Sequence, residues 1–171
     1  DKIETMTLQV GNVTRTVASY SYDDIGRLVS VNRSGNAGSV HYAYNIRNWL
    51  KETKSDRFKQ NLYYESTKEN PCFNGNISRM QWQSGKDHVL RGYDFAYDGL
   101  NRLEESAYGE GADLSQNKSR YSEHVLSYSP NGSIERLQRY GKKNNGTFGL
   151  IDDLTYSYNG NQIKAISDKA G

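Results

Sequence analysis

The residues able to do chemistry are few and scattered. Three histidines, His41, His88 and His124, stand far apart, and none has metal-ligand spacing to another histidine or to the single cysteine, Cys72. A nucleophile, a base and an orienting group must converge on one site, and nothing local brings these residues together. No catalytic residue, metal site or cofactor is therefore assigned. Three pairs of adjacent acids, Asp23-Asp24, Glu104-Glu105 and Asp152-Asp153, invite comparison with glycosidases, whose two carboxylates sit about 5–10 Å apart across the scissile bond. Neighbours on a strand point to opposite faces, so these pairs read instead as solvated turn or edge residues. The stretch from Asp113 to Lys118 lacks EF-hand spacing, and no glycine run ends in the Lys-Ser/Thr of a phosphate loop. Cys72 follows Pro71 in a loop-like insertion without an activating neighbour and reads as inert. A hydrolase is the remotest of the available readings.

Composition narrows the partners. The 171 residues carry 22 basic and 20 acidic side chains, a net charge of +2, with the basic residues dispersed; this is no footprint for nucleic acid. Lys142-Lys143, the nearest approach to a basic patch, sits among Gly and Asn and reads as a hairpin tip. No apolar run approaches the ~18 residues needed to span a bilayer. Only 35% of residues are hydrophobic, yet there are 14 Tyr against 4 Phe, so much of the apolar area comes from rings with a polar tip. Such rings suit a sheet with partly wet faces. The chain opens at Asp1 with no leader pattern and is expected to be an excised piece of a longer polypeptide. Six Asn-x-Ser/Thr triplets, from Asn12, Asn32, Asn76, Asn117, Asn131 and Asn145, read as chance matches to the glycosylation acceptor in a chain rich in these residues.

The elements that would position any site repeat six times. An alternating aromatic run stops at an Asx/Gly corner and restarts on an aliphatic residue. Four copies share one spacing: Tyr22-Asp23, Gly26, Arg27, Leu28; Tyr44-Asn45, Asn48, Leu50; Tyr97-Asp98, Asn101, Arg102, Leu103; and Tyr128-Ser129, Asn131, Gly132, Ile134. Two are shortened: Phe73, Asn74, Gly75, Ile77; and Tyr158, Asn159, Gly160, Ile163. Period-two alternation before the corner, as in Thr155-Tyr156-Ser157-Tyr158, is strand chemistry. An Asp or Asn after the ring can accept from the backbone two residues on, and Gly or Asn further along tolerates positive φ. Each copy is thus a hairpin by local chemistry, and the units run over 14–34, 40–55, 58–83, 89–108, 120–140 and 151–167. Polar, Gly-rich connections separate them, such as 34–39, and no segment has helical periodicity. The fold class expected is all-β, a single antiparallel meander of hairpins. About twelve twisted strands in one sheet should curl or split, leaving two open edges that pair with neighbouring repeats or with a second copy. Where Asp follows Tyr, at Asp23 and Asp98, the residue four further on is Arg27 or Arg102; where it does not, that place holds Trp49 or Ser133. Charge comes as a pair or not at all, which predicts an arginine closing over the turn onto the carboxylate.

A Tyr-Asp dipeptide followed by Gly-Arg-Leu at this spacing, seen at Tyr22 to Leu28 and with Asn101 replacing the glycine at Tyr97 to Leu103, resembles the Rhs or YD-repeat family. The Asn-Gly-Asn-Ile turn at Asn74 to Ile77, with Trp82 beyond it, is similar to the variant common in such proteins from Bacteroidetes. The graded copies carry the resemblance from about Tyr20 to Ser167. It implies a secreted or cell-surface bacterial protein related to the teneurins, a β-strip spiralling into a hollow shell, and in some members a C-terminal toxin enclosed by that shell. By this resemblance the chain is a non-catalytic section of wall whose partners are neighbouring repeats and an encapsulated toxin domain. The aspartates with which the family's downstream core region cleaves off the toxin have no counterpart here; the chain contains no Asp-Pro.

A second class of function stays open. Tyr and Trp faces beside Asn, Asp and Gln could stack on sugar rings, which would make the chain a carbohydrate-binding or adhesion module with Trp49 and Trp82 as its first glycan contacts.

Overall fold

The computed structural model describes residues 2–35, 38–65 and 71–170. Strands β1 (Thr5–Val10), β2 (Val13–Tyr22), β3 (Leu28–Arg33), β4 (Ser39–Tyr44), β5 (Leu50–Lys54), β6 (Phe58–Tyr63), β7 (Arg79–Ser84), β8 (Leu90–Tyr97), β9 (Leu103–Glu110), β10 (Glu123–Tyr128), β11 (Ile134–Lys142), β12 (Phe148–Asn159) and β13 (Gln162–Asp168) follow one another without a helix among the described residues. Their hydrogen-bonding order is the chain order, β1 to β13, in one antiparallel sheet that does not close on itself. The expected all-β meander is the fold. Strands β2 to β13 follow two by two, from β2 with β3 to β12 with β13, and β1 precedes them as an additional strand. Residues 36 and 37 of the connection 34–39, and 66–70 of the unit 58–83, lie outside the described residues.

One unit departs from expectation. Phe73 does not end a strand: β6 stops at Tyr63, β7 starts at Arg79, and Phe73 is 64% exposed in the intervening loop. The Cys72 N–H donates to the Tyr64 carbonyl at 2.9 Å and the Ser78 N–H to the Tyr63 carbonyl at 2.8 Å. The end of β6 is therefore met on either side of the Asn-Gly corner, which turns within a loop. There the Asn76 N–H donates to Asn74 Oδ1 at 3.0 Å, and Gly75 takes φ 101°. The local chemistry of the turn is as read, but the corner sits inside the long loop that joins β6 to β7 and not at the end of a strand.

The chain forms two compact units, Asp1–Leu62 with Trp82–His88, and Tyr63–Gln81 with Val89–Gly171. In the first, β1 to β5 and most of β6 pair in sequence, and the few buried side chains include Ala18, Ser30 and Val31. In the second, β8 to β13 pair in sequence around Tyr108, Leu114, Ser106 and Ser122. So little burial means that backbone ladders and cross-strand side-chain pairs hold each unit, rather than a thick apolar core.

The hairpins at Tyr22, Tyr44, Tyr97, Tyr128 and Tyr158 carry the same irregularity. The register slips between Ser21 and Tyr22, Ala43 and Tyr44, Ala96 and Tyr97, Ser127 and Tyr128, and Ser157 and Tyr158. Tyr22 faces Leu28 while Ser21 faces Ser30, so Val29 is the extra residue of a bulge; Lys51, Glu104, Glu135 and Lys164 hold that place in the other copies. A bulge raises local twist and re-aims the residues beside it, here the ring.

The connection from β9 to β10 is a strap laid back on the sheet. Its Gln116 exchanges backbone hydrogen bonds with Glu110 at 2.8 and 3.1 Å, and the Gln81 side chain donates to the Ala112 carbonyl at 3.0 Å. Leu114, only 3% exposed, is inserted over Gly92 and Gly109, which face each other across β8 and β9. A Cβ at Gly109 would lie 2.1 Å from the Leu114 carbonyl oxygen, and one at Gly92 would lie 2.4 Å from the Met80 carbonyl oxygen. Three residues of the strap are left-handed without being glycine, Leu114 (φ 57°), Asn117 (φ 50°) and Ser119 (φ 63°). Such conformations cost on the order of 1–3 kcal/mol each and persist where surrounding contacts over-determine them.

Candidate functional site

The signature residues converge on the corners, where one hydrogen-bond scheme recurs. In the first, the Asp23 N–H donates to the Arg27 carbonyl at 2.9 Å, the Gly26 N–H to the Asp23 carbonyl at 2.8 Å, and the Arg27 N–H to Asp23 Oδ1 at 2.8 Å. Asn45 and Asp98 repeat it, with Trp49 and Arg102 donating to their Oδ1 atoms at 3.0 and 2.9 Å. Ser129 does the same with a hydroxyl, which accepts the Ser133 N–H at 3.1 Å. Asn131 lies inside that corner. The fourth corner position is left-handed throughout: Gly26 (88°), Asn48 (64°), Asn101 (63°) and Gly132 (85°). A further copy of this corner joins β11 to β12, where Lys143 and Thr147 take the outer places and Gly146 has φ 84°. The Tyr158 hairpin turns more tightly: Asn159 pairs with Gln162 across a two-residue turn whose first residue, Gly160, has φ 59°. Gly at that place suits a type II′ turn. Several of the Asn-x-Ser/Thr triplets are these corners, so they arise from turn chemistry: Asn145 Oδ1, for example, accepts the Thr147 N–H at 3.0 Å.

The arginine clasp is present in both copies that carry the charge pair. Arg27 Nε meets Asp23 Oδ2 at 2.6 Å, and Arg102 Nε meets Asp98 Oδ2 at 2.6 Å. Both carboxyls are held below the ordinary aspartate value, first by the backbone N–H of the arginine and then by its side chain.

What the sequence did not display is that the ring and the cation reach from unit to unit. Each corner tyrosine donates its hydroxyl to the carbonyl of the aliphatic restart one unit back: Tyr44 to Leu28 at 2.9 Å, Tyr97 to Ile77 at 2.9 Å, Tyr128 to Leu103 at 2.5 Å and Tyr158 to Ile134 at 2.6 Å. Tyr22 donates likewise to Ile3 at 2.9 Å. The cation before the restart then lies over the same ring. Arg27 stands 4.9 Å from the Tyr44 centroid, Arg102 stands 4.4 Å from that of Tyr128, and Lys2 stands 5.2 Å from that of Tyr22. Lys2-Ile3 thus fills the place of Arg27-Leu28 and makes β1 a return strand of the same kind. A cation followed by an aliphatic residue ahead of a strand was the available signal. The corners also touch one another, through Arg27 Nη1 to Asn48 Oδ1 at 2.8 Å, Asn74 Nδ2 to Asn101 Oδ1 at 2.6 Å and Asn131 Nδ2 to Asn161 Oδ1 at 3.3 Å. Burial raises the hydroxyl pKa of Tyr97 and of Tyr128, which keeps both as donors. Leu50 opens β5 opposite Tyr44, and Ile163 pairs with Tyr158 across β12 and β13.

The remaining candidates are dispersed. His41 lies in β4, His88 in the connection from β7 to β8 with φ 55°, and His124 in β10 beside Glu105 at 3.6 Å. Among the described residues no group of three His, Cys, Asp or Glu is placed to hold a metal. Asp152 pairs with Arg139 at 2.8 Å and Asp153 with Arg136 at 3.6 Å, while burial pushes the Cys72 thiol up. Trp82 is half-buried in β7. Trp49 occupies the corner place of Arg27 and Arg102, and the Arg47 guanidinium covers its ring at 5.2 Å. No protein-family model matches the chain, and no curated protein matches it in sequence.

Proposed function

We propose that this chain is a section of structural wall, of the Rhs or YD-repeat kind, in a secreted or cell-surface protein. The observation that carries the reading is the use made of the signature. Tyrosine hydroxyl, arginine, Asx corner and aliphatic restart each make a contact that joins one hairpin to its neighbour, which is what a wall built by repetition requires. The neighbouring repeats of the same polypeptide are its partners, and a toxin domain held inside the shell is the cargo the resemblance implies. The carbohydrate-binding alternative has weaker support, because the ring of Trp49 is already covered by Arg47. The deciding experiment is electron cryo-microscopy of the full-length gene product. A hollow particle whose wall contains these hairpins as successive strands is the expected result. An extended protein carrying this segment as an appendage on a solvent-exposed stalk would overturn it.

A further inference from the structure

Beside the strap lies a cavity that the wall reading leaves unused. It has a volume of about 340 Å³ and is lined by Arg79, Asp94, Glu105, Asp113, Leu114 and Lys118, among others. That volume falls within the range of small-molecule sites. Two features make it a constructed space. Leu114 is fixed in the slot left by Gly92 and Gly109, so the strap wall is held against the sheet. On the sheet itself, Arg79 of β7 and Asp94 of β8 are locked in a two-point pair, Nε to Oδ1 at 2.5 Å and Nη2 to Oδ2 at 2.8 Å.

The charge pattern bears on the class of ligand. The Arg79 and Asp94 charges offset each other, and the rest of the lining carries both signs, with the Lys118 ammonium acting on Asp113 and with Glu105 beside His124. A ligand of either charge would meet a like charge as well as an opposite one. A neutral polyol meets no such conflict: its hydroxyls donate to carboxylates and accept from an ammonium or guanidinium at the same time. Ala96, Ala107 and Leu114 supply the apolar contact that the C–H face of a ring would cover. From this geometry we infer that the strap and strands β7 to β9 form a binding site for a single sugar ring or a comparably compact polyol, distinct from the row of corners and from Trp49 and Trp82.

Saturation-transfer NMR and isothermal titration of the chain against glucose, galactose, mannose and N-acetylglucosamine test the site. At least one of these should bind saturably, with a Kd on the order of 1 mM, as suits a small ligand in a single shallow site. Glu105→Gln and Lys118→Ala should each weaken that binding by roughly fivefold or more while leaving the amide spectrum of β11 to β13 in place. Absence of saturable binding across the panel overturns the inference. Binding that survives both substitutions but is lost in Trp49→Phe overturns it too, by moving the sugar to the corner row.

Discussion

At the scale of single residues, the corner tyrosine acts at two places at once: its ring ends a strand and takes up a cation, and its hydroxyl ties the neighbouring unit. Tyr97→Phe keeps the ring and removes only the bond to the Ile77 carbonyl, so it should cost about 1 kcal/mol, read as a lower urea midpoint at unchanged slope. The same change at Tyr156, whose hydroxyl has no partner among the described residues, should leave the midpoint where it is. The corner aspartates add a pH dependence. Asp23 and Asp98 have folded values below the ordinary 3.8, so their contribution is complete above that value and is lost as the pH falls through the folded one. The urea midpoint should therefore drop as the pH is lowered from about 5 to about 3. Asp98→Asn, which keeps the Oδ1 acceptor and removes the charge, should show a smaller drop. An equal drop in both proteins would mean that the lowered carboxyls are not its source.

At the scale of elements, the bulge on the return strand facing each corner ring and the strap after β9 do the positioning. The strap rests on the sheet through the buried Leu114 side chain and the bare backbone of Gly109. A Cβ at Gly109 would collide with the Leu114 backbone, so Gly109→Ala should lift the strap and destabilise the unit by about 1–3 kcal/mol. Leu114→Ala empties the slot and should cost about 2–5 kcal/mol if the strap stays in place. Hydrogen exchange separates the two effects. Gly109→Ala should speed exchange at Gln116 and Ser119, whose N–H groups donate to Glu110 and Tyr108, with β11 and β12 unaffected. Unchanged protection at those amides would show that the strap is not pinned through the glycine pair.

At the scale of the whole chain, the sheet begins and ends on exposed strands. Every residue of β1 and of β13 is exposed, including Leu8 and Val10 on one and Ile163 and Ile166 on the other. Each outer strand leaves one row of backbone groups for another strand to pair with. Sedimentation velocity of the isolated chain should therefore show concentration-dependent association. Ile166→Lys should reduce it, whereas Ile46→Lys, at a corner residue that is 95% exposed, should not. Association that both substitutions weaken alike would point away from strand edges and towards general surface stickiness.

The strands, their order and the corner chemistry were legible in the sequence because they are local. Alternation over Ser19 to Tyr22 and a carboxylate or amide beside a left-handed residue act within one hairpin, and a meander needs only neighbours. The clasp was legible for the same reason, since Asp23 and Arg27 lie in one corner. Phe73 misled because spacing alone cannot tell a hairpin corner from a corner inside a loop; the pairing partners of β6 decide that. The bulges, the ladder from tyrosine hydroxyl to the carbonyl one unit back, the stacking of Arg27 and Arg102 on the next ring, and the slot for Leu114 depend on register and on close approach between strands. Those are distances between residues far apart in the chain, and only the tertiary structure sets them.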